Sequence, residues 1–303
     1  MDRFGGGGCS LVLGEGSGQV CFVSTPLPAL IMGIVNATPD SFWQGSRGSG
    51  HQAAELALQL VEEGAHIIDL GAESTRPGSS YIGEDQELER LIPVIQEIRR
   101  HSQVPLSIDT RKQSVMAAAW EAGAQILNDV SALEDDPQLG AFAASHGLPV
   151  ILMHKRGIPA TMQHDTSYDD AFGQVDTYLQ GRVAAALSLG IQSDRIWIDP
   201  GIGFGKDFQA NRILVARCGQ LCGGRFPVVM GLSRKSFVAQ LVDGVSQKQG
   251  ERPPESRLAG TLAANMMATI AGASVLRVHD VAATRDMLSV LENLRSECVS
   301  SFR

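Results

Sequence analysis

The stretch Ile31-Met-Gly-Ile-Val-Asn-Ala-Thr-Pro-Asp-Ser-Phe42 decides how the rest of the chain is read. Its apolar residues around Gly33 run on without alternation, the pattern of a strand buried on both faces, and such strands belong to parallel sheets covered by helices. From Asn36 the segment turns polar and is broken by Pro39, so it reads as the loop that leaves the strand. Asn36 thus stands where a strand hands over to its loop, and the same hand-over recurs along the chain.

Helical spacing over 51–63, stopped at Gly64, leads to a strand over 67–70. Helices over 85–100, 112–122, 137–146, 168–189 and 210–221 lead in turn to strands over 106–109, 126–129, 150–154, 196–199 and 228–232. Gly123, Gly147 and Gly190 close three of these helices, as glycine does just past a helix end. Helices over 236–242 and 258–271 flank a polar, proline-containing stretch, 244–254, whose composition suggests a mobile insertion. A strand over 275–278 and a helix over 281–294 complete the series. Eight strands, each followed by helix, predict a (β/α)8 TIM barrel, whose usual length is about 250 residues. A doubly wound open sheet is the alternative; no linker or composition break divides the chain in the way that would favour it. Ahead of the barrel, 9–13 and 20–23 suit a small β-hairpin that could plug its bottom. The expected division is a tail and hairpin over 1–25 and a single barrel domain over 26–303.

Hydrophobic residues make up 44% of the 303 positions, enough for a large core. Net charge is −8, so no broad basic face is available for nucleic acid or anionic lipid, and an anionic ligand must meet a local cluster of cations. No apolar run reaches membrane-spanning length and the first eight residues lack a signal-peptide core, from which a soluble, cytoplasmic protein is expected. Five scattered cysteines make no disulfide framework; Cys218 and Cys222, four apart on the expected 210–221 helix, read as ordinary buried thiols.

In a barrel of this kind, chemistry gathers where strands end. Here those ends carry Asn36, Asp69 with the 73–77 loop, Asp109, Asn128 with Asp129, His154, Asp199, Ser233 to Lys235, and Arg277 with His279. Helix capping explains any one of them, but not the whole ring. Arg277 and His279 leave the same face of the last strand and can grip one anion, near the habitual phosphate site of the fold. Lys235 adds a cation beside them, whereas Arg234 alternates away from the mouth. Asp109, Asn128 and Asp199 offer fixed acceptors and donors that suit a planar heterocycle; they stand on separate strands without histidine partners at metal-ligand spacing. The run Asp199-Pro-Gly-Ile-Gly-Phe-Gly-Lys206 could cradle phosphate, but glycines that let backbone pass close to a ring are the better use. Lys235 could also form a Schiff base, an aldolase reading.

Together these motifs resemble the dihydropteroate synthase family from about residue 30 to 294. They are Asn36-Ala-Thr-Pro-Asp-Ser-Phe42, Asp69-Leu-Gly-Ala-Glu-Ser-Thr-Arg-Pro-Gly78, Ser107-Ile-Asp-Thr110, Asn128-Asp-Val130, Met153-His-Lys-Arg-Gly157, Asp199-Pro-Gly-Ile-Gly-Phe-Gly205, Ser233-Arg-Lys235 and Arg277-Val-His279. The resemblance implies a transferase, usually a homodimer, that joins 6-hydroxymethyl-7,8-dihydropterin pyrophosphate to p-aminobenzoate with Mg2+, in folate biosynthesis. It implies pterin binding by Asp109, Asn128, Asp199 and Lys235, with Met153, Gly203 and Phe204 lining the pocket. It further implies a pyrophosphate and Mg2+ grip by Asn36 (the metal residue), Arg277 and His279, and a p-aminobenzoate side formed by Thr75, Arg76, Pro77 and Ser233. Asp109, Lys235, Arg277 and His279 are the expected catalytic residues.

The chain departs from the family pattern at Gln44, usually acidic, at Ala72, usually Gly, and at Ala37, usually Val. Gln44 bears on closure of the first loop rather than on substrate class. The uninterrupted Ser74 to Gly78 run implies sensitivity to sulfonamides. Two rivals remain: a pterin-binding methyltransferase acting on methyl-tetrahydrofolate, which needs no pyrophosphate grip, and a non-catalytic pterin-binding protein.

Overall fold

The structure, a computed structural model, describes residues 9–16, 19–37, 49–73, 79, 81–244 and 252–298. Strands β1 (Cys9–Gly16) and β2 (Gln19–Thr25) pair antiparallel as the expected hairpin. Eight parallel strands follow: β3 (Leu30–Asn36), β4 (Ile67–Gly71), β5 (Leu106–Asp109), β6 (Ile126–Asp129), β7 (Val150–Met153), β8 (Ile196–Asp199), β9 (Val229–Met230) and β10 (Val275–Val278). Their order in the sheet is β8-β7-β6-β5-β4-β3-β10-β9. A single parallel bridge, Ile198 to Val228, joins the two ends and closes the barrel. The helices are α1 (Ser49–Glu63), α2 (Glu84–His101), α3 (Gln113–Glu121), α4 (Leu139–Ser145), α5 (Ala171–Ser188), α6 (Phe208–Ala216), α7 (Ser236–Asp243), α8 (Leu258–Ile270) and α9 (Val281–Cys298).

Because side chains alternate across a strand, each barrel strand feeds two cores. Outward residues such as Ile31, Val35, Ile68, Leu70, Ile108 and Leu152 are buried against the helices. Inward residues Leu30, Met32, Ile67, Ile126, Ile151, Trp197, Val229 and Val275 fill the barrel itself, and Leu11 of β1 joins them from the hairpin. The hairpin is fixed there by Cys9 N–H donating to the Leu27 carbonyl at 3.2 Å.

Most boundaries move by one to four residues from the sequence expectation, as where the 281–294 helix runs on to Cys298, and three differences have local consequences. The 210–221 helix ends at Ala216 and is followed by a separate 3-10 turn, Cys218–Gly224, in which Cys222 has φ 51°. In that turn Gly219 donates its N–H to the Ala271 carbonyl at 3.1 Å instead of to its own helix, and it packs so closely there that a side chain at 219 would collide with the Ala271 and Gly272 backbone. Cys218 and Cys222 are therefore not neighbours on one helix, though both are buried thiols as expected. The 168–189 helix starts at Ala171, where Asp170 caps it by accepting a hydrogen bond from Gly173 N–H at 3.0 Å. Strand β9 is two residues long rather than five. Most of the expected insertion at 244–254 lies outside the described residues.

Candidate active site

The inward alternation that buries Ile67, Ile126, Ile151, Trp197 and Val275 places Asp69, Asn128, Met153, Asp199 and Arg277 one step nearer the strand ends, on the same face. The upper barrel is therefore polar where its lower half is apolar. Asp69 is fully buried and accepts from Arg277 Nε at 2.6 Å and from Asn128 Nδ2 at 3.2 Å on each oxygen. Arg277 Nη2 donates to Asp109 Oδ2 at 3.1 Å, so one guanidinium joins two carboxylates across the mouth. With Nδ2 committed to Asp69, Asn128 is left with Oδ1 to offer. Burial pushes the Asp109 carboxyl up, against the pull of Arg277, and the neighbouring Asp69 charge pushes the same way.

The opposite wall is made by the glycine-rich turn after β8. Asp199 Oδ1 accepts from Gly201 N–H at 2.6 Å, and burial raises its carboxyl against the nearby Lys235 charge. Gly201, Gly203 and Gly205 all have positive φ, conformations L side chains rarely adopt, which lets the turn double back against His154 and Arg156. Lys235, at the start of α7, donates to the Ile202 carbonyl and stands 4.6 Å from the centroid of the Phe204 ring. Burial lowers its amine to about 8, partly offset by Asp199.

Ser233 and His279 pair at 3.0 Å between Oγ and Nδ1, and His279 N–H donates to the same hydroxyl at 3.2 Å. The hydroxyl has two lone pairs and one proton, so it can pair with either tautomer of the ring. Asn36 ends β3 half-buried, in register with Gly71, which is in register with Asp109. The structure thus gathers Asp109, Asn128, Met153, Asp199, Gly203, Phe204, Ser233, Lys235, Arg277 and His279 at the strand ends. Arg277 and His279 do not converge on each other: one reaches to Asp69, the other to Ser233. Thr75, Arg76, Pro77 and Gln44 lie outside the described residues.

Two strand-end residues have supporting roles. Asp129 points outward and ties its loop by accepting from Ser131 N–H, Ser131 Oγ and Leu133 N–H. Arg234, at φ 60°, pairs with Asp280 at 2.6 Å. Sequence reasoning placed Asp69 at a strand end without giving it a partner, and gave no role to Lys206 or Glu73, though the structure makes all three central. The place of Asp69 two residues after inward Ile67 is the signal that it faces the barrel. Lys206 lies off the strands and carries no such signal. Glu73 accepts from Ile82 N–H at 2.7 Å, from Arg111 at 3.0 Å and from Lys112 at 3.3 Å, bracketing the segment between residues 73 and 82.

A family model described as pterin binding enzyme matches residues 32–279. The chain is 40% identical over 265 residues to the dihydropteroate synthase of a Synechocystis species, covering 87% of this chain and 89% of that one. It superposes on Xanthomonas albilineans dihydropteroate synthase with 4-aminobenzoic acid at TM-score 0.82 and 41% identity, covering 92% of this chain and 96% of the other. The same enzyme in complex with 7,8-dihydropteroate gives TM-score 0.77 and 40% identity, covering 88% and 94%. The barrel, its ring of acceptors and cations, and these matches agree: the chain belongs to the pterin-binding enzyme family, among the dihydropteroate synthases.

Proposed function

We propose that this barrel mouth condenses 6-hydroxymethyl-7,8-dihydropterin pyrophosphate with p-aminobenzoate, giving 7,8-dihydropteroate and pyrophosphate. The observation that carries the reading is the Asp69–Arg277–Asp109 bridge with Asn128 below and Asp199 and Lys235 opposite. Asp69, Asp109 and Asp199 bring three carboxylates to the mouth beside Arg277 and Lys235, and a carboxylate that is ionised there stabilises a ring becoming cationic.

Substitution occurs at the exocyclic CH2 of the pterin. As the C–O bond to pyrophosphate breaks, positive charge spreads into the ring, where Asp109 and Asp199 stabilise it. Arg277 and His279 hold the departing anion, and the amine of p-aminobenzoate attacks the same carbon and then loses a proton. Little covalent work falls to the protein; orientation and fixed charge carry the rate. Thr75, Arg76, Pro77 and Ser233 are assigned to the p-aminobenzoate side.

Among the described residues no three His, Cys, Asp or Glu side chains converge to hold a metal. Mg2+ commonly takes one or two protein oxygens, with waters and substrate phosphates completing its shell. Asn36 supplies such an oxygen at the rim, so the donor set fits an ion held jointly by Asn36 and pyrophosphate. When bound, the ion supplies positive charge to the leaving group.

No helix among the described residues is long and apolar enough to cross a membrane, and we place the protein in the cytoplasm. We assign it as a homodimer. Leu241 and Val242 on α7, Met266, Met267 and Ile270 on α8, and Val290 and Leu294 on α9 are exposed on neighbouring helices, an apolar face suited to a second copy.

Incubation with the pterin pyrophosphate, p-aminobenzoate and Mg2+ tests the reaction. Pyrophosphate should appear only when both organic substrates are present, and a sulfonamide should compete with p-aminobenzoate. Release that is indifferent to p-aminobenzoate would overturn the assignment.

A further inference from the structure

The turn from Gly201 to Gly205 presents five consecutive carbonyls, and each has a side-chain donor. Gly201 and Phe204 carbonyls accept from Lys206 Nζ at 2.9 and 3.0 Å, the Ile202 carbonyl from Lys235, the Gly203 carbonyl from Gln163 Nε2 at 3.0 Å and the Gly205 carbonyl from Tyr168 Oη at 2.9 Å. Two lysines therefore hold alternate parts of one glycine-rich turn. Only Lys235 belongs to the catalytic set; Lys206 is buried and remote from solvent, at 4% exposure.

Lys206 Nζ also donates to His154 Nδ1 at 2.8 Å and to the His154 carbonyl at 3.2 Å. An ammonium has three protons, so its acceptors share them and the group has none left for a ligand. His154 stands edge-on to Tyr178 at 4.9 Å between centroids; burial and the neighbouring Lys206 charge lower its imidazole to about 3, which keeps Nδ1 an acceptor. Burial drives the Lys206 amine itself well below the usual lysine range, with Asp199 opposing. Asn211 completes the arrangement: its Oδ1 accepts from Gly203 N–H at 2.9 Å and its Nδ2 donates to the Lys206 carbonyl at 3.2 Å.

We propose that Lys206, oriented by His154, is a positioning residue that sets the conformation of the Gly201–Phe204 turn and so places Lys235 and the Phe204 ring against the heterocycle. A turn of this kind, rich in positive-φ glycines, has many conformations available to it. What selects one is the cation that gathers Gly201 O and Phe204 O on the side away from the ligand. That leaves Ile202 O and the Phe204 ring directed to Lys235. The role of Lys206 is thus exerted through Lys235, and it touches no substrate. The pterin part of this inference rests on the reading of the mouth as a pterin site; the placement of Lys235 does not.

Lys206→Met keeps the length of the side chain and removes its donors. Two measurements on the full-length protein decide the matter. The first is the pH-dependent rate of amine acylation at Lys235, read by peptide mass spectrometry. Lys235, released from the Ile202 carbonyl, should label several-fold faster in the variant. The second is steady-state kinetics. A displaced turn should lower kcat/KM for the pterin pyrophosphate by about a hundredfold, the scale expected for misplacement by about 1 Å, while KM for p-aminobenzoate stays within about twofold. A merely destabilised protein would lose kcat through its folded fraction and leave both KM values alone. Should Lys206→Met fail to fold, His154→Leu, which keeps the lysine and removes one acceptor, is read in the same way and should move both quantities in the same direction by less. In a folded variant, unchanged Lys235 labelling or an unchanged kcat/KM for the pterin pyrophosphate would overturn the proposal. A wild-type enzyme that does not condense the two substrates would overturn the proposed reaction instead, with the labelling result still deciding the positioning role.

Discussion

Arg277 shows how far a residue's sequence position defines its chemistry. Its place on β10, two residues from His279, identifies the face it leaves, and alternation made that legible. Where the guanidinium ends was not legible, because a long stem can carry its head to either of two carboxylates or to a ligand. In the structure it reaches both Asp69 and Asp109. Asp109, Asn128 and Asp199 were readable because short side chains at strand ends have little freedom over where they point. Lys206 was not readable, since its burial is created by the loop that folds over it. Asp109→Asn keeps the shape of the side chain and removes the charge facing the developing cation, so turnover should fall by about a hundredfold or more with circular dichroism unchanged. Burial raises the Asp109 carboxyl to about 7, so activity that needs its charge should rise with pH through about 7, and Lys235 gives the alkaline limb. Its amine, lowered to about 8, is cationic below that pH and neutral above it, so kcat/KM should fall as pH rises through about 8. Lys235→Arg should retain the cation and carry that alkaline limb beyond the measured range; an unmoved limb would assign it to another group.

Among the elements, the strands were the most legible, because runs such as Ile67–Gly71 and Ile196–Asp199 are buried on both faces and leave no ambiguity of side. Helix ends were less so where tertiary contact overrules local preference. Nothing in residues 210–221 taken alone announces that Gly219 must pass against Ala271 and Gly272. The hairpin could be expected from its turn, but which of its side chains reaches the interior core could not. Leu11 is buried in the interior core with Met32, Ile67 and Trp197, and Cys9 packs against the same cluster. Leu11→Ala should therefore cost about 2–5 kcal/mol in stability, the range for truncating a buried leucine. Urea denaturation would measure it, and kcat of the folded fraction should be unaffected because the contact lies at the far end of the barrel from Asp109 and Lys235.

For the whole molecule, the (β/α)8 architecture was carried by repetition, and the site by the polar residues at its strand ends. The exposed apolar face proposed for a second copy was not carried by either. Met266, Met267 and Ile270 lie on one side of α8 at helical spacing, and sequence cannot distinguish such a stripe from core. In the structure they are exposed beside Leu241, Val242, Val290 and Leu294. Met267→Glu combined with Ile270→Glu should convert a dimer to a monomer by sedimentation velocity while preserving the fold. A wild-type protein that sediments as a monomer at micromolar concentration would remove the face from consideration as a subunit contact.

The single bridge from Ile198 to Val228 has a consequence for how the barrel bears load. Seven of its eight joints are ladders of two to five registered pairs, whereas the eighth is one rivet. A hoop stressed from within yields at its weakest seam. Here the seam runs between the strand that delivers Asp199 and the strand that leads to Lys235. Backbone amide exchange should therefore be faster at this joint than along the β3–β4–β5 ladders, where Asp69 and Asp109 stand.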